Sequence, residues 1–373
     1  MKILFPIAIF YPTTIGGPSS SVYWLSKYLK KNGINCYIVT TNFKVPNNYN
    51  TNTWINLDCG FVYYTKSKNP KFPIYAVYIT YKTIPKCDIV HYSSAYSLLT
   101  LFTIIYSILL KKTVILSPRG EFFEEAIDKF VKKIIIKFYI LIKNKIVFHA
   151  TSNEEVNAIT KLFKNPNIFT QPNFINELPR EKKQVFSKDF VYLGIIYDIK
   201  KIENTIIALY KSKYFVNSIS NFIIAGKPLR KIDYLYLNYL HDLTKKYNLE
   251  NKIKFIGEIY NQNKYNLLYN AYFLILSSDR ENFGNVIIEA LSQSTPVIVS
   301  KGAPWEILNI YKAGWWVNND PDKLSEIIDK ALLLDENSYL EMCSNALYLY
   351  NKFYNINTSE NNIWLKIYNS FKK

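Results

Sequence analysis

The chain has 373 residues, 49% of them apolar and 16% aromatic, with 46 Lys and Arg against 29 Asp and Glu for a net charge of +17. That length favours two domains over one, and the apolar share gives each a core of its own, which excludes a disordered or fibrous chain. The basic excess is spread along a sequence rich in Lys, Asn, Ile and Tyr, so part of it is compositional, and no nucleic-acid recognition motif collects it.

Met1 to Ile7 runs directly into a strand, predicted over Ile3–Phe10, with no signal-peptide cleavage pattern. Val22, Leu25 and Leu29 recur at helical spacing from Ser19 to Asn32, and Gly33 is the predicted stop. Strands follow over Cys36–Thr41, Asp88–Tyr92, Val114–Ser117, Ile146–Thr151 and Ile168–Gln171. The apolar stretch Ala95–Leu110 is broken by Ser97, Thr100, Thr103 and Ser107. It falls short of the roughly 18–20 residues that span a bilayer and reads as a buried helix. Lys129, Lys132, Lys133 and Lys137 recur at three and four residues, with Phe130, Ile134, Ile135, Phe138, Leu141 and Ile142 on the other face. Such a basic amphipathic helix suits an anionic membrane surface, and equally a helix packed on a core with its lysines solvated. Ser152 and Glu155 form a capping box ahead of another helix.

The polar, irregular stretch Pro172–Lys188 marks a linker. Beyond it come strands over Phe190–Gly194, Phe222–Gly226, Ile253–Gly257, Phe273–Ser277, Val297–Ser300 and Trp315–Val317, then a helix-like tail from Ser359 to Lys373. Strands alternating with helices twice over predict two doubly wound parallel α/β domains. Their bounds are 1–175 and 189–355, with a linker over 176–188 and a C-terminal helix over 356–373 that packs back on the first domain. Cys36, Cys59, Cys87 and Cys343 are scattered and read as buried thiols of a reducing compartment.

The most telling segment follows the strand ending at Leu276. Glu281 lies in the loop, Gly284 frees the backbone to approach a ligand, and Glu289 lies about one turn into the next helix. In open α/β sheets such a loop stands at the mouth of the sheet, where ligands bind. Two glutamates seven residues apart around Phe283-Gly284, followed by Ala290-Leu291 and the strand Pro296-Val-Ile-Val299, resemble the donor-site motif of the GT4 family of retaining glycosyltransferases.

The resemblance covers essentially the whole chain. Gly16-Gly17-Pro18 is similar to the family's glycine loop, which faces the donor phosphates and the acceptor. Ser117-Pro118-Arg119-Gly120-Glu121 stands where many members carry His-Gly, as in a subgroup with Pro-Arg-Gly. Arg119 there is a fixed cation for a phosphate or an acceptor hydroxyl, or else a surface arginine paired to Glu121 or Glu124. Leu193-Gly194 to Lys200-Lys201 parallels the family's Gly-Arg and Lys-Gly, so Lys200 matches the diphosphate-binding lysine. Ile195 occupies the arginine position and Lys201 the glycine position, leaving Arg119, Arg280 and Lys201 as replacements for the missing cation. Gly226-Lys227 resembles the Ala-Gly loop, and Pro172-Asn173-Phe174 the Pro-Asn-Gly motif. Ala303-Pro304-Trp305-Glu306 with Gly314-Trp315-Trp316 resembles the same subgroup.

What this implies is a GT-B fold with an interdomain cleft, the first domain on the acceptor side and the second binding the nucleotide-sugar. The expected reaction moves a sugar with retention from a nucleotide-diphosphate sugar to a bacterial surface-glycan acceptor such as an O-antigen or capsule unit, commonly lipid-linked. Glu289 would bind the ribose and Glu281 the donor sugar, with the amides of Phe283, Gly284 and Asn285 and the Lys200 ammonium on the diphosphate. Arg119 would assist catalysis, Gly16, Gly17, Gly194 and Gly226 would border the donor, and Glu121 and His91 are acceptor-side candidates, although a histidine that ends a buried strand, as His91 does, is more often structural. No cofactor and no metal are expected, since no His, Cys or Asp cluster has ligand spacing. The protein is expected in the cytoplasm or on the inner face of the cytoplasmic membrane. A catalytically silent sugar-nucleotide-binding protein and a basic nucleic-acid-binding protein are the alternatives from other classes.

Overall fold

A computed structural model of the chain describes residues 1–13, 17–67, 69–127, 130–176, 180 and 187–371. It divides into two compact α/β units, one formed by Met1–Asn176 with Ile356–Lys373 and the other by Glu177–Asn355.

The first unit is built on strands β1 (Lys2–Pro6), β2 (Asn35–Thr41), β3 (Trp54–Leu57), β4 (Gly60–Thr65), β5 (Ile89–Ser93), β6 (Thr113–Ser117), β7 (Val147–Ala150) and β8 (Asn167–Thr170). Their order is β3-β4-β2-β1-β5-β6-β7-β8. Every pairing is parallel except the β3–β4 hairpin. Helices α1 (Gly17–Lys31), α2 (Ile74–Thr83), α3 (Leu98–Leu109), α4 (Phe130–Ile142) and α5 (Asn153–Leu162) cover it. A parallel sheet buried on both faces needs apolar residues at successive positions, and runs such as Ile3-Leu4-Phe5 supply them. Leu4, Val90, Leu116 and Phe148 meet the residues of α2 to α5, whereas Ile3, Phe5, Ile89, Ile115 and Val147 meet those of α1 and of the C-terminal segment.

The structure departs from the sequence reading at three places here. β1 stops at Pro6, although the next residues still bond to the end of β2 through Ile7 N–H to the Val39 carbonyl (3.0 Å). The β3–β4 hairpin and the helix α2 that follows it are additional. The segment predicted as a buried helix is α3, and it is buried on one side only: Leu99, Thr103, Ile104 and Ser107 face the sheet while Phe102 and Leu109 face outward.

The second unit carries strands β9 (Phe190–Leu193), β10 (Phe222–Ala225), β11 (Ile253–Gly257), β12 (Phe273–Leu276), β13 (Val297–Ser300) and β14 (Gly314–Val317), all parallel, in the order β11-β10-β9-β12-β13-β14. Its helices are α6 (Ile202–Lys211), α7 (Lys213–Asn217), α8 (Asp233–Lys246), α9 (Asn261–Asn270), α10 (Asn285–Leu291), α11 (Ile307–Ile310), α12 (Pro321–Leu332) and α13 (Glu336–Phe353). The chain then returns to the first unit, where the Ile356 N–H meets the Ile175 carbonyl (3.0 Å) and α14 (Trp364–Ser370) packs its Trp364 and Tyr368 into the core.

Candidate active site

From β9 the chain winds outward through β10 to β11, then returns beside β9 as β12 and winds the other way through β13 to β14. The loops leaving β9 and β12 therefore diverge at their C-terminal ends and leave a crevice, the place where such sheets bind ligands. Gly194 and Gly226 sit at its edge because two loops touch there: a Cβ on Gly226 would stand 1.8 Å from the Gly194 carbonyl oxygen.

Lys200, at the end of a short helical turn after β9, reaches the loop after β12 and forms an ion pair with Glu281, which also accepts from the Ser278 hydroxyl (3.0 Å). The two side chains are only 13% and 14% exposed. Burial alone would pull the Lys200 ammonium down, but the Glu281 carboxylate outweighs it and holds Lys200 above its ordinary value. The loops are stitched together around this pair. Asp279 N–H bonds the Ile199 carbonyl (2.9 Å), and Glu281 N–H bonds the Gly302 carbonyl (2.7 Å), where a Cβ would stand 2.3 Å from the Ser278 and Asp279 oxygens.

Ile195 adds no charge, and its carbonyl accepts from the Tyr192 hydroxyl (2.7 Å). Lys201, at the position where the family carries glycine, is left-handed with φ of 48°, the conformation glycine adopts most easily. Its ammonium lies 3.6 Å from both Glu203 and Asp279, so those carboxylates already share the cation named as a replacement.

Glu289, on α10, receives the Lys264 ammonium of α9 at 2.7 Å, both largely buried. Lys264 was not singled out from the sequence; it lies in a polar helix, and no local spacing links it to Glu289. Gly284, with φ of 84°, makes the turn that opens α10 at Asn285. Phe283 is a packing residue, its ring 5.3 Å from Trp305 and 5.9 Å from Tyr354, and its carbonyl accepts from the Trp305 indole. Trp316 likewise donates to the Ala303 carbonyl (2.7 Å). The two tryptophan motifs thus brace the loop that carries Glu281. Two carboxylates able to accept from hydroxyls and two ammoniums able to hold phosphate oxygens converge on the loop and helix after β12.

The first-unit candidates fall differently. Gly16 and Lys129 lie outside the described residues. Gly17 opens α1, where its carbonyl accepts from the Ser21 hydroxyl (3.0 Å). His91 is 1% exposed, with both ring nitrogens engaged, as the structural reading of a histidine ending a buried strand expects. The bonds run from Tyr368 Oη to His91 Nδ1 (2.6 Å), from His91 Nε2 to Ser117 Oγ (2.7 Å), from Ser117 Oγ to His149 Nδ1 (2.7 Å), and end at the Gln171 carbonyl (2.8 Å). A carbonyl can only accept, so His149 Nε2 carries the proton and each earlier partner donates in the same direction. Both rings are then neutral, in keeping with burial, which pushes His149 down to about 3 and His91 well below its usual value.

Glu121 accepts from Ser94 Oγ (2.7 Å) and from the Ala95 and Tyr96 amides, bracing the turn into α3, so its oxygens are taken within the first unit. Burial pushes its carboxyl up despite those three donors. Arg119 pairs with neither Glu121 nor Glu124, which corrects the surface alternative. With φ of 58° it turns inward, and Nη1 donates to Asn173 Oδ1 (2.6 Å). Its Nε is buried without a hydrogen-bond partner, and burial lowers the guanidinium to about 10. Lys132 caps the Ala126 carbonyl, whereas Lys133 and Lys137 are exposed. Among the described residues no group of three or more His, Cys, Asp and Glu is placed to hold a metal ion.

Residues 173–347 match the family model of glycosyl transferases group 1. Curated relatives include an uncharacterized glycosyltransferase of Methanocaldococcus jannaschii, 29% identical over 147 residues, which are 39% of this chain and 36% of that protein. Another is the O-antigen chain mannosyltransferase RfbU of Salmonella typhimurium, 27% identical over 178 residues, 46% of this chain and 48% of that one. The chain thus aligns with less than half the length of either relative. Among solved structures, that of Anabaena HepE in complex with UDP-glucose superposes with a TM-score of 0.76 at 16% identity, covering 99% of both chains. The fold is GT-B, with two parallel-sheet α/β units as the sequence predicts, and the matches support a glycosyltransferase.

Proposed function

We propose that this chain is a retaining glycosyltransferase that takes a nucleotide-diphosphate sugar in the crevice after β9 and β12. The observation that carries the reading is the Lys200–Glu281 pair, a nearly dry cation and carboxylate held by the two loops that flank the switch in strand order. A diphosphate replaces Glu281 as the partner of Lys200, and Glu281 is thereby released to the hydroxyls of the donor sugar. Glu289 binds the ribose hydroxyls.

In the reaction the bond from the anomeric carbon to the phosphate oxygen breaks and the bond to the acceptor oxygen forms on the same face. The acceptor proton passes to the departing phosphate, so no protein base is required. Lys200 offsets the charge developing on the leaving group, and Glu281 steadies the oxocarbenium-like sugar. Arg119, turned onto Asn173 within the first unit, is assigned no contact with the reacting atoms. The acceptor class is a bacterial surface glycan on a lipid carrier, supported by the likeness to an O-antigen chain mannosyltransferase.

The test is transfer from a panel of UDP-, GDP- and dTDP-sugars to lipid-linked glycan extracts in excess chelator, with the product's anomeric configuration read by NMR. Retention without added metal is the expected result. An inverted product, or activity that returns only with manganese or magnesium, contradicts the mechanism. Tight donor binding with no transfer favours the silent binding protein instead.

A further inference from the structure

The helices over one face of the first sheet are unusual in what they turn outward. The twelve residues of α3 contain no charged side chain, yet Phe102 is 58% and Leu109 71% exposed. On α4, Phe130, Ile134 and Leu141 are exposed, Leu141 to 85%, beside exposed Lys133 and Lys137. The sequence reading set these apolar residues opposite the lysines; instead Ile136 and Tyr139 face the core, and the outer face mixes lysine with large apolar groups. Ile74 on α2 is 80% exposed. The helices adjoin: the Tyr81 hydroxyl of α2 donates to the Phe102 carbonyl of α3, and α3 and α4 follow the neighbouring strands β5 and β6. None of the three contains Asp or Glu, while Lys82, Lys111, Lys133 and Lys137 are exposed on them or at their ends.

A solvated helix layer normally carries charges of both signs, and an exposed apolar area of this extent marks a surface that something covers. We propose that the outer face of α2, α3 and α4 docks on an anionic lipid bilayer, its apolar side chains entering the acyl boundary and its lysines meeting the phosphates. The charge selects the occupant. Lipid headgroups complement helices whose only charged side chains are lysines, whereas a second copy presenting the same face would set lysine against lysine. Among the described residues no helix is long and apolar enough to cross a membrane, so this contact lies along the bilayer. The inference rests on the first unit's surface alone and stands apart from the donor chemistry of the second.

The experiment is sedimentation of the full chain with vesicles of mixed phosphatidylglycerol and phosphatidylcholine, and with phosphatidylcholine alone. Binding to the anionic vesicles should exceed binding to neutral ones by roughly tenfold and weaken in about 0.5 M salt. Ile134→Asp with Leu141→Asp, and separately Phe102→Asp with Leu109→Asp, should each cut it by about tenfold or more. All four positions are exposed, so the melting temperature should hold, and nucleotide-sugar binding by the same variants should not change. Absence of wild-type binding to anionic vesicles, or variants that bind as wild type, overturns the proposal. So does a concentration-dependent dimer that the same substitutions abolish, since the face would then belong to a second copy.

Discussion

Lys200 and Glu281 are ion-paired where the strand order of the second sheet reverses, in the crevice proposed for the donor. Lys200→Met leaves Glu281 buried and uncompensated, and Glu281→Gln does the same to Lys200. Removing a charged partner of this kind costs roughly 1.5–3 kcal/mol. Lys200→Met should weaken donor binding, whereas Glu281→Gln should chiefly lower turnover. Calorimetry and initial rates on both variants check this; normal affinity and normal rate in both would remove the pair from the site.

Glu289 and Lys264 form a second pair, 2.7 Å apart, on α10 and α9. If Glu289 holds the ribose, Glu289→Ala should weaken binding of the free nucleotide as much as that of the nucleotide-sugar, by about 1.5–3 kcal/mol. Titration of both ligands tells this from a contact to the sugar, which would leave nucleotide affinity intact.

Gly226→Ala places a Cβ 1.8 Å from the Gly194 carbonyl oxygen, and backbone cannot yield cheaply. The variant should be destabilised by more than about 3 kcal/mol, or fail to fold. Gly33→Ala, at φ of 79° with nothing within 4 Å of the added atom, should cost about 1 kcal/mol. Denaturant midpoints for the two compare steric contact with backbone preference.

His91 and His149 are buried neutral, and their folded pKa values lie below the unfolded value near 6.5. The unfolded chain therefore binds protons that the folded one refuses. The stability they confer is complete above about pH 6.5 and is lost as pH falls from there toward the folded value of His149, at up to about 1.4 kcal/mol per pH unit for each ring. A steep drop in Tm below pH 6.5 is the expected result, shallower by about one proton in His149→Gln. An unchanged slope in that variant would place His149 in solvent.

Much of this was legible because it is local. Apolar runs marked the parallel strands, and the strand–loop–helix around Glu281 and Glu289 marked the crevice. Lys200 was singled out by the resemblance of the segment Gly194 to Lys201 to a family motif. What escaped depends on distant partners. Lys264 meets Glu289 through the packing of two helices, and no sequence period encodes that. The inward turn of Arg119 follows from its left-handed backbone and from Asn173, 54 residues away. The His91–Ser117–His149 chain needs three adjacent strands in register, with α14 supplying Tyr368. On α4 the lysine spacing was read correctly, but which arc met the core depended on the neighbours of Ile136 and Tyr139. The β3–β4 hairpin was missed because its strands, Trp54-Ile-Asn-Leu57 and Gly60-Phe-Val-Tyr-Tyr-Thr65, mix aromatic, polar and single aliphatic residues in place of the aliphatic runs seen elsewhere.

The central claim is that the crevice after β9 and β12 holds a nucleotide-diphosphate sugar through Lys200, Glu281 and Glu289. The most direct test is calorimetric titration of wild type, Lys200→Met and Glu289→Ala with a panel of UDP-, GDP-, dTDP- and CMP-sugars. The account predicts that one nucleoside-diphosphate sugar binds the wild type and that each substitution weakens it by roughly tenfold or more. Binding of no nucleotide-sugar by the wild type, or equal affinity in all three proteins, would contradict it.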